Sequence, residues 1–320
     1  MTDRSIRDEG IPTMTPRPLP PVLVLGTSGL GSGDEDAALE TALSLLRSGL
    51  LIDTSHNYSG GASERTLGVA LATLAPNERS SAAARILTKV DRDPETGRFD
   101  ADRVLRSAEE SLGRLGVDAV PLLHLHDPYV VTVRDALAPG GAVSGLVRLR
   151  EEGVAASIGI AAGPAPLVQR YVDSGLFDAV LCHNRYTLVD RSAAPLFEDA
   201  RRRGMRVFNA APFGGDLLAR GPRPGARYHY RSASDELRGW TAGAEAVCLR
   251  HGVSLPAVAL TISLHADVVD ATVVGVSSPA RLEALLGLAD TTIPEAVWAE
   301  LDALGPAPSP IDDSRYGDDA

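Results

Sequence analysis

Four ionisable residues close short apolar runs or follow directly on one. Asp53 ends Leu50-Leu-Ile-Asp53, Lys89 ends Arg85-Ile-Leu-Thr-Lys89, His126 ends Val120-Pro-Leu-Leu-His-Leu-His126, and Tyr58 lies five residues past Asp53. An ammonium beside a phenol favours the phenolate and is expected to lower the tyrosine pKa. A carboxylate paired with that lysine keeps it charged and oriented, and a histidine at the same point orients or polarises a carbonyl oxygen. Together the four make a proton donor for a carbonyl receiving hydride, or the acceptor in the reverse direction. Each has an ordinary explanation when taken singly, as a capping carboxylate, a satisfied core polar group or a rim aromatic. Charged groups at the ends of three consecutive apolar runs are costly, and a shared task explains them better.

The elements that must carry these residues alternate along the chain. Val22–Gly26, Leu50–Asp53, Arg85–Lys89, Val120–His126, Ala155–Ile160, Phe177–Cys182, Arg206–Asn209 and Asp270–Gly275 read as strands. Helical patterns follow them: from Asp34, a candidate N-cap, to about Arg47, then Ser63–Thr73, with Ser63 expected to cap it. Further helices are expected over Ala101–Leu115, Ser144–Glu152, Pro195–Arg203, Asp235–His251, Pro256–Leu264 and Pro279–Ala289. Continuous apolar strands between amphipathic helices indicate a parallel sheet covered by helices. Eight repeats, roughly 30 residues apart except before the last and without a compositional break, favour one (β/α)8 barrel over an open sheet. The expected layout is an N-terminal segment over 1–20, a barrel over 21–305 with extra C-terminal helices, and an acidic, flexible tail over 306–320.

Length and composition agree with that layout. The 320 residues would divide into two domains by the usual rule, but a single barrel absorbs them. A net charge of −11 and 4% aromatic residues argue against a nucleic-acid partner. The two cysteines, Cys182 and Cys248, cannot form a disulfide framework, and Cys182 reads as an inert core residue. No window approaches ~18 apolar residues, and the first 20 residues lack the apolar core of a signal peptide. A cytoplasmic location with no membrane partner is expected; the oligomeric state is not legible.

On these residues the chain resembles the aldo-keto reductase superfamily. The matching pieces are Leu25-Gly26-Thr27, Asp53-Thr-x-x-x-Tyr58 with Ser63-Glu64, Thr88-Lys89, and Leu125-His126-Asp127-Pro128. The resemblance implies Tyr58 as general acid/base, Lys89 as its pKa-lowering neighbour, Asp53 as the partner of Lys89, and His126 as the carbonyl-orienting group. The segments Asp53–Glu64, Leu123–Pro128 and Arg185–Asp190 are most similar to the branch of L-fucose, D-galactose and D-threo-aldose 1-dehydrogenases, which turn a lactol into a lactone. An aldose or a small aldehyde is therefore the expected substrate.

The same resemblance implies NADP, with NAD as the other candidate, lying extended across the barrel mouth. Its expected contacts are Thr27, Asp53, His183, Asn184, Pro212, Gly214, Leu217, Ser278 and Arg281. A planar guanidinium at Arg281 suits both adenine and a 2′-phosphate, while Gly275 stands where many members carry a phosphate-pairing lysine. The nicotinamide cradle departs further: Ala161-Ala162 replace a Ser-Asn pair, His183 replaces a glutamine, and Ala210 replaces a stacking tyrosine.

Two other readings compete. His124 and His126 lie on one strand face and His183 ends another strand, a pattern a metal-dependent barrel hydrolase could use. Against it, Asp53, Tyr58 and Lys89 would lack a role, and His124 reads as a satisfied core histidine; no metal is expected. A catalytically idle, cofactor-binding regulatory subunit is the second alternative. Outside the tetrad, Tyr228-His-Tyr-Arg231 lies in a Pro- and Gly-rich stretch long enough to cover the mouth, a candidate for substrate selection.

Overall fold

The computed structural model of the chain describes residues 22–316; the expected N-terminal segment and the last four residues of the tail lie outside them. Eight parallel strands close into a barrel. They are β1 (Val22–Gly26), β2 (Leu51–Asp53), β3 (Ile86–Val90), β4 (Leu123–His126), β5 (Ile158–Ala162), β6 (Ala179–His183), β7 (Arg206–Ala210) and β10 (Ala271–Gly275). Strand β10 pairs with both β1 and β7, so no edge remains. The longer interval before β10 holds a small antiparallel hairpin, β8 (Arg227–Tyr228) and β9 (Arg231–Ser232), after a short helix α9 (Leu217–Arg220).

The outer layer contains α1 (Glu35–Arg47), α2 (Ala62–Thr73), α3 (Pro76–Ala83), α4 (Ala101–Leu115), α5 (Val133–Leu137), α6 (Ala142–Glu151), α7 (Ala165–Asp173) and α8 (Ala194–Arg202). It is completed by α10 (Asp235–Arg250), α11 (Leu255–Leu264), α12 (Pro279–Ala289) and the C-terminal α13 (Glu295–Ala303). Asp34 caps α1 as expected, its side chain accepting from Ala37 N at 2.9 Å. Ser63 does not cap α2. That place belongs to Gly61, whose φ of 80° few side chains could adopt. Helices α3, α5 and α7 were not anticipated; α3 and α5 are short, and neither carries a long apolar stripe.

Alternation along each strand decides what fills the barrel. Val24, Leu87, Leu122, Ala161, Leu181, Phe208 and Val273 point inward and pack as one interior cluster. The other strand faces join two larger clusters beneath the helices, and a third cluster packs the hairpin against α10, α11 and α13. On β3 the inward series Leu87, Lys89 continues to Asp91, and on β4 the series Leu122, His124 continues to His126. Strand β4 starts later than expected because Pro121 has no N–H for the ladder; Val120 makes only an isolated bridge to Ala155. Among the described residues no single helix is long and apolar enough to cross a membrane.

Candidate active site

Lys89 is the hub. Its Nζ donates to Asp53 Oδ1 at 2.6 Å, to the Thr54 carbonyl at 2.7 Å and to the Tyr58 hydroxyl at 2.9 Å. All three ammonium protons are thereby used, which is how a buried charge is tolerated. Tyr58 is brought over the lysine by the loop after β2. Its N–H donates to Ser55 O at 3.2 Å, and Ser59, Gly60 and Gly61 then run through left-handed conformations that turn the chain into α2. The lysine also lies 4.4 Å from the centre of the Tyr58 ring.

The pKa expectation for this pair needs correcting. Burial dominates at Tyr58 and outweighs the neighbouring ammonium, so the phenol is pushed up to about 12. Lys89 offsets part of that rise. Burial also opposes the charge on Lys89, but the Asp53 carboxylate and Tyr58 more than compensate and raise it above the ordinary lysine value. At neutral pH the resting pair is therefore ammonium and neutral phenol.

A polar layer behind the tetrad holds its strands together. Ser63, expected as a cap, is fully buried and bonds Thr54 Oγ1 at 2.9 Å and Thr27 Oγ1 at 2.8 Å. Glu64, also without exposure, accepts from Thr88 Oγ1 at 2.6 Å and from Arg114 Nη1 at 2.9 Å. These bonds tie β1, β2, β3 and α2 together beneath Asp53, Tyr58 and Lys89.

His126 stands edge-on to Tyr58, ring centres 5.7 Å apart and planes at 81°. Its Nδ1 lies 2.8 Å from Asp91 Oδ1 and 3.1 Å from Ser55 Oγ. Asp91 is a site residue that the sequence reading missed, although its position two residues past Lys89, on the same strand face, was the available signal. The hydrolase reading does not assemble: His126 is committed to Asp91, and among the described residues no three His, Cys, Asp or Glu side chains are grouped to hold a metal. His124 is core but not satisfied. Both ring nitrogens lack a partner among the described residues, the ring packs edge-on against Phe208, and burial drives its pKa well below the ordinary value.

A cavity of about 240 Å³ at the barrel mouth is lined by Asp53, Tyr58, Lys89, His126, Asp127, His183 and Tyr230, together with Gly26, Ala161, Ala210, Ala211 and Gly275. The hairpin tip, His229-Tyr230, delivers Tyr230 to this cavity through two positive-φ residues. That places the loop singled out from sequence at the mouth. A larger hollow of about 580 Å³ lies under Trp240 and Trp298 and shares none of these residues.

The residues expected to touch a cofactor are placed unevenly. His183 lines the cavity, with Nε2 3.9 Å from Asp127 Oδ1. Asn184 is buried behind it and reaches His183 Nδ1 at 2.8 Å instead of entering the cavity. The Thr27 side chain is turned inward to Asp53 O and Ser63, so Gly26 and Ser28 form the lining there. Leu217 is core, and Gly214 is packed under the Tyr228 ring, where a Cβ would come within 1.9 Å of Cε2. Pro212 is buried beside them. Ser278 caps α12 by accepting from Arg281 N, and the Arg281 side chain is exposed. Asp53 Oδ2 is buried without a partner among the described residues, an acceptor left open on the cavity wall.

This fold and this mouth define a barrel oxidoreductase, and residues 22–306 match the model of the aldo/keto reductase family. The chain belongs to that family and is an NAD(P)-dependent oxidoreductase. It is 33% identical to a D-threo-aldose 1-dehydrogenase of a Pseudomonas species over 279 residues, covering 81% of this chain and 84% of that one. It is 31% identical to the L-galactose dehydrogenase of Arabidopsis thaliana over 266 residues, 81% of each chain. A pyridoxal 4-dehydrogenase of Microbacterium luteolum is 29% identical over 216 residues, 65% of this chain and 63% of that one. In fold, an aldo-keto reductase from Bacillus halodurans in its holo form superposes with a TM-score of 0.73 at 24% identity, covering 89% of this chain and 92% of the other.

Proposed function

We propose that the protein oxidises an aldose at the anomeric carbon, lactol to lactone, or acts on a small aldehyde, with Tyr58 as general acid/base and NADP, or NAD, as cofactor. The observation that carries this reading is the fork of Lys89 to Asp53, Thr54 and Tyr58. The neutral Tyr58 hydroxyl is a ready proton donor to a carbonyl oxygen. In the oxidising direction Lys89 stabilises the phenolate that must form. His126 and Tyr58 face one another across the point where the substrate oxygen would lie. Asp127, His183 and Tyr230 supply a polar flank suited to a substrate rich in hydroxyls.

An extended dinucleotide is proposed to lie along this mouth. Asp53 Oδ2 offers an unpartnered acceptor, glycines and alanines leave room along the wall, and Arg281 offers a cation at the start of α12. His183 is the side chain best placed to meet a carboxamide, with Ser278 and Arg281 at the adenosine end. Bound there, the cofactor supplies hydride exchange. The test is Tyr58→Phe: NAD(P)-linked oxidation of aldoses should vanish while cofactor binding stays measurable, and undiminished activity would refute the assignment.

A further inference from the structure

We infer that Asp91 is a positioning residue that, with Ser55, holds His126 in its Nδ1–H form, so that the nitrogen left for substrate, Nε2, accepts a hydrogen bond when the ring is neutral and donates one only as imidazolium. The Ser55 hydroxyl donates to Asp91 Oδ2 at 2.6 Å, so toward His126 Nδ1, 3.1 Å away, its oxygen can only accept. Asp91 Oδ1, 2.8 Å from the same nitrogen, is an acceptor too. Among the described residues two acceptors and no donor surround Nδ1, and the proton must sit there. Asp91 is itself fixed: its Oδ2 also receives Asn57 N–H at 3.1 Å, its own N–H goes to Ser107 Oγ at 3.0 Å, and its carbonyl accepts from Arg103 Nε at 3.2 Å.

The groups facing His126 from every side bear on its charge. Lys89 and Asp91 come from β3 and the residue after it, Tyr58 from the loop after β2, and His124 from deeper on β4. Asp127 lies next on the chain, with Oδ2 3.8 Å from Nε2, and has His183 beyond it. His56 stands behind Asp91, tied to Glu110, Arg103 and Arg114. Burial opposes an imidazolium here, but Asp91 outweighs it and the ring titrates above the ordinary histidine value. The reciprocal effect appears at Asp91. Burial alone would raise it, yet His126 and Ser55 bring it below the usual carboxylate range.

The arrangement links pH to reaction direction. An alcohol can donate its O–H to the neutral ring, whereas a carbonyl oxygen finds a donor at His126 only when the ring is charged. Alcohol oxidation should therefore use the neutral form and carbonyl reduction the cation, with Asp91 setting where one gives way to the other. This rests on the reading of His126 as substrate-facing, but not on which substrate is turned over.

Nitrogen-15 NMR of the histidine-labelled protein, with His126 assigned through His126→Gln, tests it. The wild-type ring should show the Nδ1–H tautomer at high pH. Asp91→Asn should lower its pKa by about one unit or more, and the acidic limb of the pH–rate profile should move by the same amount. Ser55→Ala should retain the tautomer. An Nε2–H tautomer in the wild-type protein overturns the inference, as does an unmoved pKa in folded Asp91→Asn. Should that variant not fold, the wild-type tautomer alone decides. Inactivity on every aldose would count against the proposed function and leave these spectra unaffected.

Discussion

Arg185, just past β6, grips both carboxylate oxygens of Asp313, 128 residues further along the chain, with Nη2–Oδ1 at 2.7 Å and Nε–Oδ2 at 2.9 Å. The same guanidinium donates to His229 Nε2 at 3.1 Å, so one side chain joins the C-terminal segment to the hairpin that carries Tyr230. Burial and the Arg185 charge push His229 down to about 4, so it is neutral at physiological pH and can accept that bond. Asp313→Ala should leave a buried guanidinium half-satisfied. We expect a loss of about 3 kcal/mol in chemical denaturation, together with a raised KM, since the hairpin loses its anchor. A stability change under about 0.5 kcal/mol would show that the clamp is idle.

Lys89→Met should be worse than its size suggests. The substitution removes the charged partner of Asp53, whose second oxygen has none among the described residues, and leaves the Thr54 carbonyl and the Tyr58 hydroxyl short of a donor. Breaking a buried pair from one side costs about 3–5 kcal/mol, and kcat should fall by about 10²–10⁴. The double variant Asp53→Asn/Lys89→Met should recover part of the stability but none of the activity. Steady-state kinetics and urea unfolding on the same samples separate the two effects.

The His126–Asp91 pair predicts a pH dependence of stability. His126 is raised in the folded state, so its contribution is fully present below the unfolded value near 6.5 and is lost as pH rises through the folded value. Asp91 is lowered, so its contribution is present above about 4 and is lost as pH falls through the folded value. The pair should thus stabilise most between about pH 4 and 6.5. Unfolding free energies should hold across that range, then decline above about pH 6.5 in the wild type, and this decline should flatten in Asp91→Asn. Parallel curves for the two proteins would rule the pair out as the source.

Much of this was legible from the chain because the barrel repeats one rule. Alternation on buried strands places Asp53, Lys89 and His126 at neighbouring strand ends, and helical spacing in α4 delivered Ala101–Leu115 without error. What escaped depends on three-dimensional competition. The depression expected at Tyr58 assumed that a nearby ammonium would prevail, whereas burial of the loop prevails. Ser63 looked like a cap because serine often is one, but the left-handed run at Ser59–Gly61 starts α2 earlier and turns the hydroxyl into the polar layer. Asp313 could not be foreseen at all, since nothing local in an acidic tail reports a partner 128 residues away.

The adenosine end proposed for the mouth offers a prediction about cofactor choice. Arg281 is exposed in the first turn of α12, with Ser278 occupied in capping that helix, and the proposed cofactor placement sets its guanidinium against the 2′-phosphate. A charge-assisted hydrogen bond is worth about 1.5–3 kcal/mol. Arg281→Ala should therefore weaken NADP binding by about tenfold or more and NAD binding much less. Gly275 makes the complementary case: a Cβ built there meets no atom of the described residues within 4 Å and its φ is not left-handed, so Gly275→Lys has room to add a second cation. That variant should tighten NADP binding and leave NAD nearly unchanged. Fluorescence titration with both nucleotides decides the matter, and equal losses for NADP and NAD in Arg281→Ala would remove the 2′-phosphate from its role.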